Sequence, residues 1–285
     1  MNNAMQLKAI VKKMSKSKNV SAQIVLQNYM LERLLERISL SPYQPNFILK
    51  GGFLIAAIVG LDTRSTMDMD ATIRGLQVNT ETITTMFQEI CHISVNDDIT
   101  FAVKRTDEIR ENADYGGYRV TLEAQYPPML VPLKVDITTG DKITPREMVY
   151  DFNLLLEPRT IKVLAYNLET IMAEKLETII SRGDQNTRPR DYYDVYIIRQ
   201  LQWKNVNSDS LSSALTATSQ HRGTFSIINR YPEILETIEK SDIMNRHWKD
   251  YQTQFEYANN IQFADICAVI KEILRSILQP GPIKP

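Results

Sequence analysis

Cysteine is nearly absent from this chain. Cys91 and Cys267 stand far apart, which excludes a disulfide framework and a cysteine-rich metal site and fits two buried thiols in a reducing compartment. Histidine is as sparse: His92, His221 and His247 have no Cys or second His at ligand spacing, so a structural zinc is excluded. No apolar run approaches the roughly 18 residues of a membrane span. Lys8, Lys12, Lys13, Lys16 and Lys18 near the start are not followed by the apolar segment of a signal peptide, so the expected protein is soluble and cytoplasmic, with no membrane partner. An excess of either charge is missing too. A formal net charge of −1 excludes a global positive field, and any nucleic-acid contact must come from local patches. Internal repeats and low-complexity segments are also lacking.

What is present is globular in character. Hydrophobic residues make up 43% and charged residues 24% of 285 positions, enough for one large domain or two ordinary ones. The stretch from Leu49 to Asp70 stands out: Leu49-Lys50-Gly51-Gly52-Phe53, an apolar run to Gly60, then Arg64-Ser65-Thr66-Met67-Asp68-Met69-Asp70. A strand over 68–73 places Asp68 and Asp70 on one face by its period of two. Two like charges on one face call for a cation between them. A divalent metal carrying nucleotide phosphates meets that need, and a glycine turn opening a helix offers backbone N–H groups to phosphate.

The rest of the chain divides by pattern. Helices are expected over 5–14 and from an N-cap at Ser21, the latter with Glu32, Arg33, Glu36 and Arg37 on a solvated face. A short strand over 46–49, a buried helix over 53–59 and a helix capped at Asn79 or Thr80 follow. Period-two alternation marks strands over 99–104, 118–124 and 131–137, with a loop at 112–117, and a further strand over 153–164 is interrupted near Pro158. If the last strand of the alternating set neighboured the Asp68 strand, Asp136 would stand beside the carboxylate pair. Beyond Asn167 the pattern is helical, over 168–182, 191–202, 208–219, 232–240, 242–258 and 263–278. The expected organisation is two N-terminal helices plus a sheet core over 1–160, a helical domain over 161–279 and a flexible tail over 280–285.

Two helices carry further candidates. Leu168, Ile171, Met172, Leu176 and Ile179 form an apolar stripe that contains Lys175, while Glu174 and Glu177 turn to the polar side. Lys175 either snorkels outward or meets an anion inside, and Arg182 on the same face favours an anion-binding cleft. Asp191, ahead of an apolar stripe with Val195 and Ile198, reads equally as an N-cap and as an inward-facing site residue. Arg188 and Arg190 read as phosphate ligands or as ordinary loop charges.

Four stretches in order resemble the AbiEii/AbiGii family of nucleotidyltransferase toxins, the toxic half of bacterial abortive-infection and type IV toxin–antitoxin pairs. These are Leu49 to Gly52 with Arg64, Ser65 and Asp68-Met69-Asp70; Lys134-Val135-Asp136-Ile137 up to Pro145; Tyr166 to Glu169 with Ala173-Glu174-Lys175-Leu176 to Arg182; and Arg188-Pro189-Arg190-Asp191-Tyr192-Tyr193-Asp194. The resemblance spans about residues 47–201. Gly51-Gly52 stands where related enzymes often have Gly-Ser, and Phe53 where a small residue is usual. The resemblance implies an α+β fold, with a polymerase-β-like nucleotidyltransferase core of mixed sheet flanked by helices and a helical C-terminal domain walling the other side of a cleft. It implies transfer of a nucleoside monophosphate from a nucleoside triphosphate, with the tRNA 3′ end as acceptor, in antiviral defence. Asp68, Asp70 and Asp136 would hold Mg²⁺; Lys175 and Asp191 would complete the catalytic set; Lys50, Gly51, Gly52, Arg64, Ser65 and Arg182 would bind nucleotide. A cognate antitoxin would act without obligatory contact. Two other readings stay open on the residues alone: a nucleotide-binding, GTP-type regulator without turnover, and a structural subunit whose carboxylates form surface salt bridges.

Overall fold

The computed structural model describes residues 4–112 and 115–278. The expected tail over 280–285 lies outside them. The chain forms two compact units, one of residues 1–141 and 147–166 and the other of 142–146 and 167–285.

In the first unit, α1 (Ala4–Lys18) packs Leu7 and Val11 against α2 (Ala22–Leu40). Ser21 caps α2 by accepting the Ile24 N–H at 3.2 Å, as expected. Strand β1 (Phe47–Lys50) leads into α3 (Gly51–Val59), then β2 (Met69–Ile73) and α4 (Thr80–Cys91), whose Asn79 forms a reciprocal capping box with Thr82. Strands β3 (Thr100–Asn112), β4 (Tyr115–Tyr126), β5 (Met129–Thr139), β6 (Met148–Asn153) and β7 (Thr160–Ala165) complete a seven-stranded sheet in the order β3-β4-β5-β2-β1-β7-β6. Pairing is parallel for β2 with β5 and for β1 with β7, and antiparallel elsewhere. The sheet is therefore mixed, as expected. Because β7 pairs with β1, the first unit runs to Tyr166.

Three expectations fail in this unit. The supposed loop over 112–117 is mostly a continuation of β3 and β4, with Ile109 opposite Gly117 and Arg110 opposite Gly116; polar and glycine-rich composition imitated a loop where a two-stranded ribbon extends. The strand expected over 153–164 is β7 from Thr160 only, while β6 ends at Asn153; β6 has two of its six residues half-buried or buried, so its alternation was too weak to read. The charged face of α2 is not solvated. Arg33, 1% exposed, meets Glu32 at 2.9 Å, Glu36 at 2.7 Å and Glu157 at 3.1 Å. Arg37 forks onto both oxygens of Asp97 at 2.8 Å and donates to the Ile99 carbonyl at 2.6 Å. A helix buried on all sides must pair its charges internally. Burial pushes the Glu32 carboxyl up to about 7, against the opposing pull of Arg33 and the Leu155 N–H.

The second unit is helical: α5 (Leu168–Arg182), α6 (Pro189–Gln202), α7 (Ser208–His221), the single turn α8 (Phe225–Ile228), α9 (Tyr231–Lys240), α10 (Asp242–Gln254) and α11 (Phe263–Leu278). The segment 142–146 joins it through Asn167, which donates to the carbonyls of Thr144 and Arg146 at 2.9 Å. Tyr192, Tyr193, Trp248, Tyr251 and Phe263 form its aromatic core, with ring centroids 5.4 to 6.1 Å apart. The helix expected over 242–258 stops at Gln254, where Phe255 turns to extended backbone.

Candidate active site

The first unit's candidate residues converge on one row across four strands. Lys50 on β1 stands opposite Asp70 on β2, Asp70 opposite Asp136 on β5, and Asp136 opposite Arg119 on β4. Opposed residues share a sheet face, so the row reads cation, carboxylate, carboxylate, cation. Strand β2 begins at Met69, which leaves Asp68 one residue ahead of it rather than inside it. Met69 and Ala71 are fully buried while Asp68 and Asp70 are partly exposed, as the alternation requires.

The glycine turn is shaped to fit Asp70. Gly51 has φ +66°, a left-handed conformation that favours glycine, and a Cβ there would lie 2.1 Å from Asp70 Oδ2. The Gly52 N–H donates to that same oxygen at 3.3 Å, so one of the amides expected to face phosphate is turned to a carboxylate instead. A Cβ on Gly52 would come within 2.9 Å of Arg64 Nη2. Arg64 is 1% exposed and donates to the Ser65 carbonyl, and Ser65 is buried with it. Phe53 takes no part in the turn: it is buried and stacks on Phe152 with centroids 5.5 Å apart, which accounts for a large residue at this position.

Both ends of the row are tied. Arg119 donates from Nε to Asp136 Oδ1 at 2.7 Å and from Nη2 to Oδ2 at 2.6 Å. Lys50 donates to Asp141 Oδ2 at 2.7 Å, an oxygen that also accepts from Thr72 at 2.6 Å, from Thr138 and from the Tyr166 hydroxyl at 3.1 Å. Burial alone would raise the Asp141 carboxyl, but the Lys50 charge and these donors hold it well below the usual carboxylate range. Neither Arg119 nor Asp141 stood out in the sequence. Only the pairing of β4 with β5 places Arg119, and Asp141 sits in the irregular segment after β5, where it looks like ordinary loop chemistry.

In the second unit, Lys175 meets anions inside rather than snorkelling. Its Nζ lies 2.5 Å from Asp191 Oδ1 and 3.2 Å from Asp194 Oδ2. Asp191 is not an N-cap: α6 starts at Pro189 with Arg188 at the cap position, so Asp191 falls in the first turn and its buried carboxylate is free to reach across to α5. Asp194 is fully buried; its i, i+3 relation to Asp191 was the signal that could have found it. Arg182, at the end of α5, is held below its ordinary value first by burial and then by Arg188 nearby. Glu177 does not face the polar side. It is 2% exposed and accepts from Arg222 at 2.5 Å and from Thr224 at 2.8 Å.

The donor set of the first unit suits a hard cation. Asp68, Asp70 and Asp136 offer only oxygen, and Mg²⁺ is commonly held by one or two carboxylates with substrate phosphates completing the shell. Among the described residues no three His, Cys, Asp or Glu side chains gather to hold an ion by themselves, which agrees with Asp136 being turned to Arg119.

Residues 33–269 match the family model described as nucleotidyl transferase AbiEii toxin, type IV TA system. The chain belongs to the AbiEii family. The match reaches beyond the four motifs and takes in most of the helical unit of this AbiEii protein, which is a nucleotidyltransferase. A candidate nucleotidyltransferase from H. pylori has the same fold, with a TM-score of 0.51 at 16% identity over 92% of this chain and 100% of that one. The structure of JHP933 from Helicobacter pylori aligns with a TM-score of 0.49 at 16% identity, covering 90% of this chain and 94% of that one. Among curated proteins none matches the sequence. No helix among the described residues is long and apolar enough to cross a membrane.

Proposed function

We propose that this AbiEii protein transfers a nucleoside monophosphate from a nucleoside triphosphate to the 3′ end of an RNA, with tRNA as the acceptor, and that this reaction is its toxic activity in the cytoplasm. The observation that carries the reading is the cross-strand row, in which Asp70 and Asp136 stand side by side on parallel strands with Asp68 just ahead. In the reaction the acceptor hydroxyl oxygen bonds to the α-phosphorus, the bond to the β-phosphate oxygen breaks, and pyrophosphate leaves with the electron pair. Asp136, oriented by Arg119, receives the hydroxyl proton. Asp68 and Asp70, with Asp136 beside them, would hold Mg²⁺, which supplies charge stabilisation on the phosphates and the leaving pyrophosphate.

The remaining residues bind and orient. Lys175 contacts triphosphate oxygens as a point charge, kept in place by Asp191 and Asp194. Lys50 and the Gly51-Gly52 turn face the nucleotide, with Arg64 buried against Gly52 and Ser65 beside it supporting the turn, and Arg182 adds positive charge at the end of α5. The cognate antitoxin acts without obligatory contact with the toxin. Incubating the protein with each labelled nucleoside triphosphate, Mg²⁺ and total RNA tests the reading. Label in RNA with release of pyrophosphate is expected. Tight nucleotide binding with no labelled product overturns it.

A further inference from the structure

The charge of this protein is unevenly placed. Helix α1 carries Lys8, Lys12, Lys13, Lys16 and Lys18 and no acidic residue, in a chain whose net charge is −1. Lys8, Lys12, Lys13 and Lys16 are exposed, and among the described residues they have neither hydrogen-bond nor ion-pair partners. Positions 8, 12 and 16 follow one another at i, i+4, so their Cα atoms rise about 6 Å per step along one side of the helix. Lys13 borders Lys16 at i, i+3. That repeat is close to the spacing of successive phosphates on one nucleic-acid strand.

The ladder is anchored to the candidate site. The helix packs its apolar residues Leu7 and Val11 on α2, and Lys18 at its end pairs with Asp62 at 2.9 Å. Asp62 lies in the segment that leads to Asp68. The same segment is gripped by α2, where Asn28 donates to the Thr66 carbonyl at 2.7 Å and Gln27 to the Met67 carbonyl at 3.2 Å. A strand lying along α1 is thereby carried on the element that positions the carboxylates. Lipid fits less well, because the buried face of α1 is already used on α2 and only Met5 and Ile10 remain as exposed large apolar side chains.

We propose that α1 is the docking track for the phosphodiester backbone of the acceptor RNA, with Lys8, Lys12, Lys13 and Lys16 as its phosphate contacts. The identity of the strand as an acceptor rests on the transferase reading; the binding itself does not. The test measures RNA affinity of the full chain without nucleotide, across a salt series, for wild type, for the combined K8Q/K12Q/K13Q/K16Q variant and for the matching set of arginines. The expected result is at least roughly tenfold weaker binding for the glutamine set near 0.1 M salt, and a log–log salt slope shallower by about 3. The arginine set binds as wild type. Unchanged affinity and slope in the glutamine set overturn the proposal, as does α1-dependent binding to anionic phospholipid vesicles with no binding to RNA. RNA binding that depends on α1, in a protein that moves no label to RNA, supports the track while removing the transferase reading.

Discussion

A methyl group on Gly51 would stand 2.1 Å from the Asp70 carboxylate oxygen, so the first residue of α3 and the central carboxylate of β2 fit together only when one of them has no side chain. Gly51→Ala therefore meets both a steric clash and the cost of a left-handed backbone, about 1–2 kcal/mol from the backbone alone. The expected outcome is a soluble protein with a lowered melting temperature and no detectable nucleotide transfer. Full transfer by this variant would show that the close contact is not needed.

Lys175 is the shared cation of two buried carboxylates. Lys175→Ala removes the cation shared by these two carboxylates, at a cost of about 3–5 kcal/mol. This variant should lose both transfer and stability, so loss of toxicity alone is a poor measure of its role. Asp191→Asn keeps a hydrogen-bond acceptor and leaves Asp194 paired, and should cost far less stability while still raising KM for the triphosphate. Thermal melts beside steady-state kinetics separate the two effects.

Asp141 is depressed in the folded state, so it contributes stability above its ordinary pKa near 4 that is lost as pH falls through the folded value. The wild type should weaken steadily below about pH 4, and Asp141→Asn should remove that part of the acid dependence while lowering stability at neutral pH by about 3 kcal/mol. Denaturant unfolding at a series of pH values reads both.

The Arg37–Asp97 fork lies within α2's buried network and takes no part in the proposed chemistry. Asp97→Ala takes the carboxylate from a buried guanidinium that keeps the Ile99 and Arg33 carbonyls and the Phe101 ring, and should cost about 3–5 kcal/mol. Nucleotide affinity of the remaining folded protein should be unchanged. A neutral effect on the melt would place these charges in water, contrary to their burial.

The helices of the second unit were legible because their apolar residues recur at helical spacing and their caps are local: the bounds of α5 and α11 follow from Asn167 and from the stripe starting at Phe263. The fit of Lys175 to Asp191 was half legible, since both lie on the inward sides of their helices. The row across the sheet was not. Asp70, Asp136 and Arg119 are distant in sequence and meet only through strand pairing, which a period of two does not specify. The buried charges of α2 misled for a related reason: an amphipathic pattern shows which side is apolar but not that the polar side is covered as well.

The most direct measurement compares wild type and Asp70→Asn in transfer of label from a nucleoside triphosphate to RNA across an Mg²⁺ titration. The substitution keeps the size of the side chain and an acceptor for the Gly52 N–H, and removes the charge between Lys50 and Asp136. Mg²⁺-dependent labelling by wild type is expected, with a loss of at least roughly a hundredfold in the variant and a melting temperature close to that of wild type. Labelling by Asp70→Asn at the wild-type rate and with the same Mg²⁺ dependence would contradict this expectation.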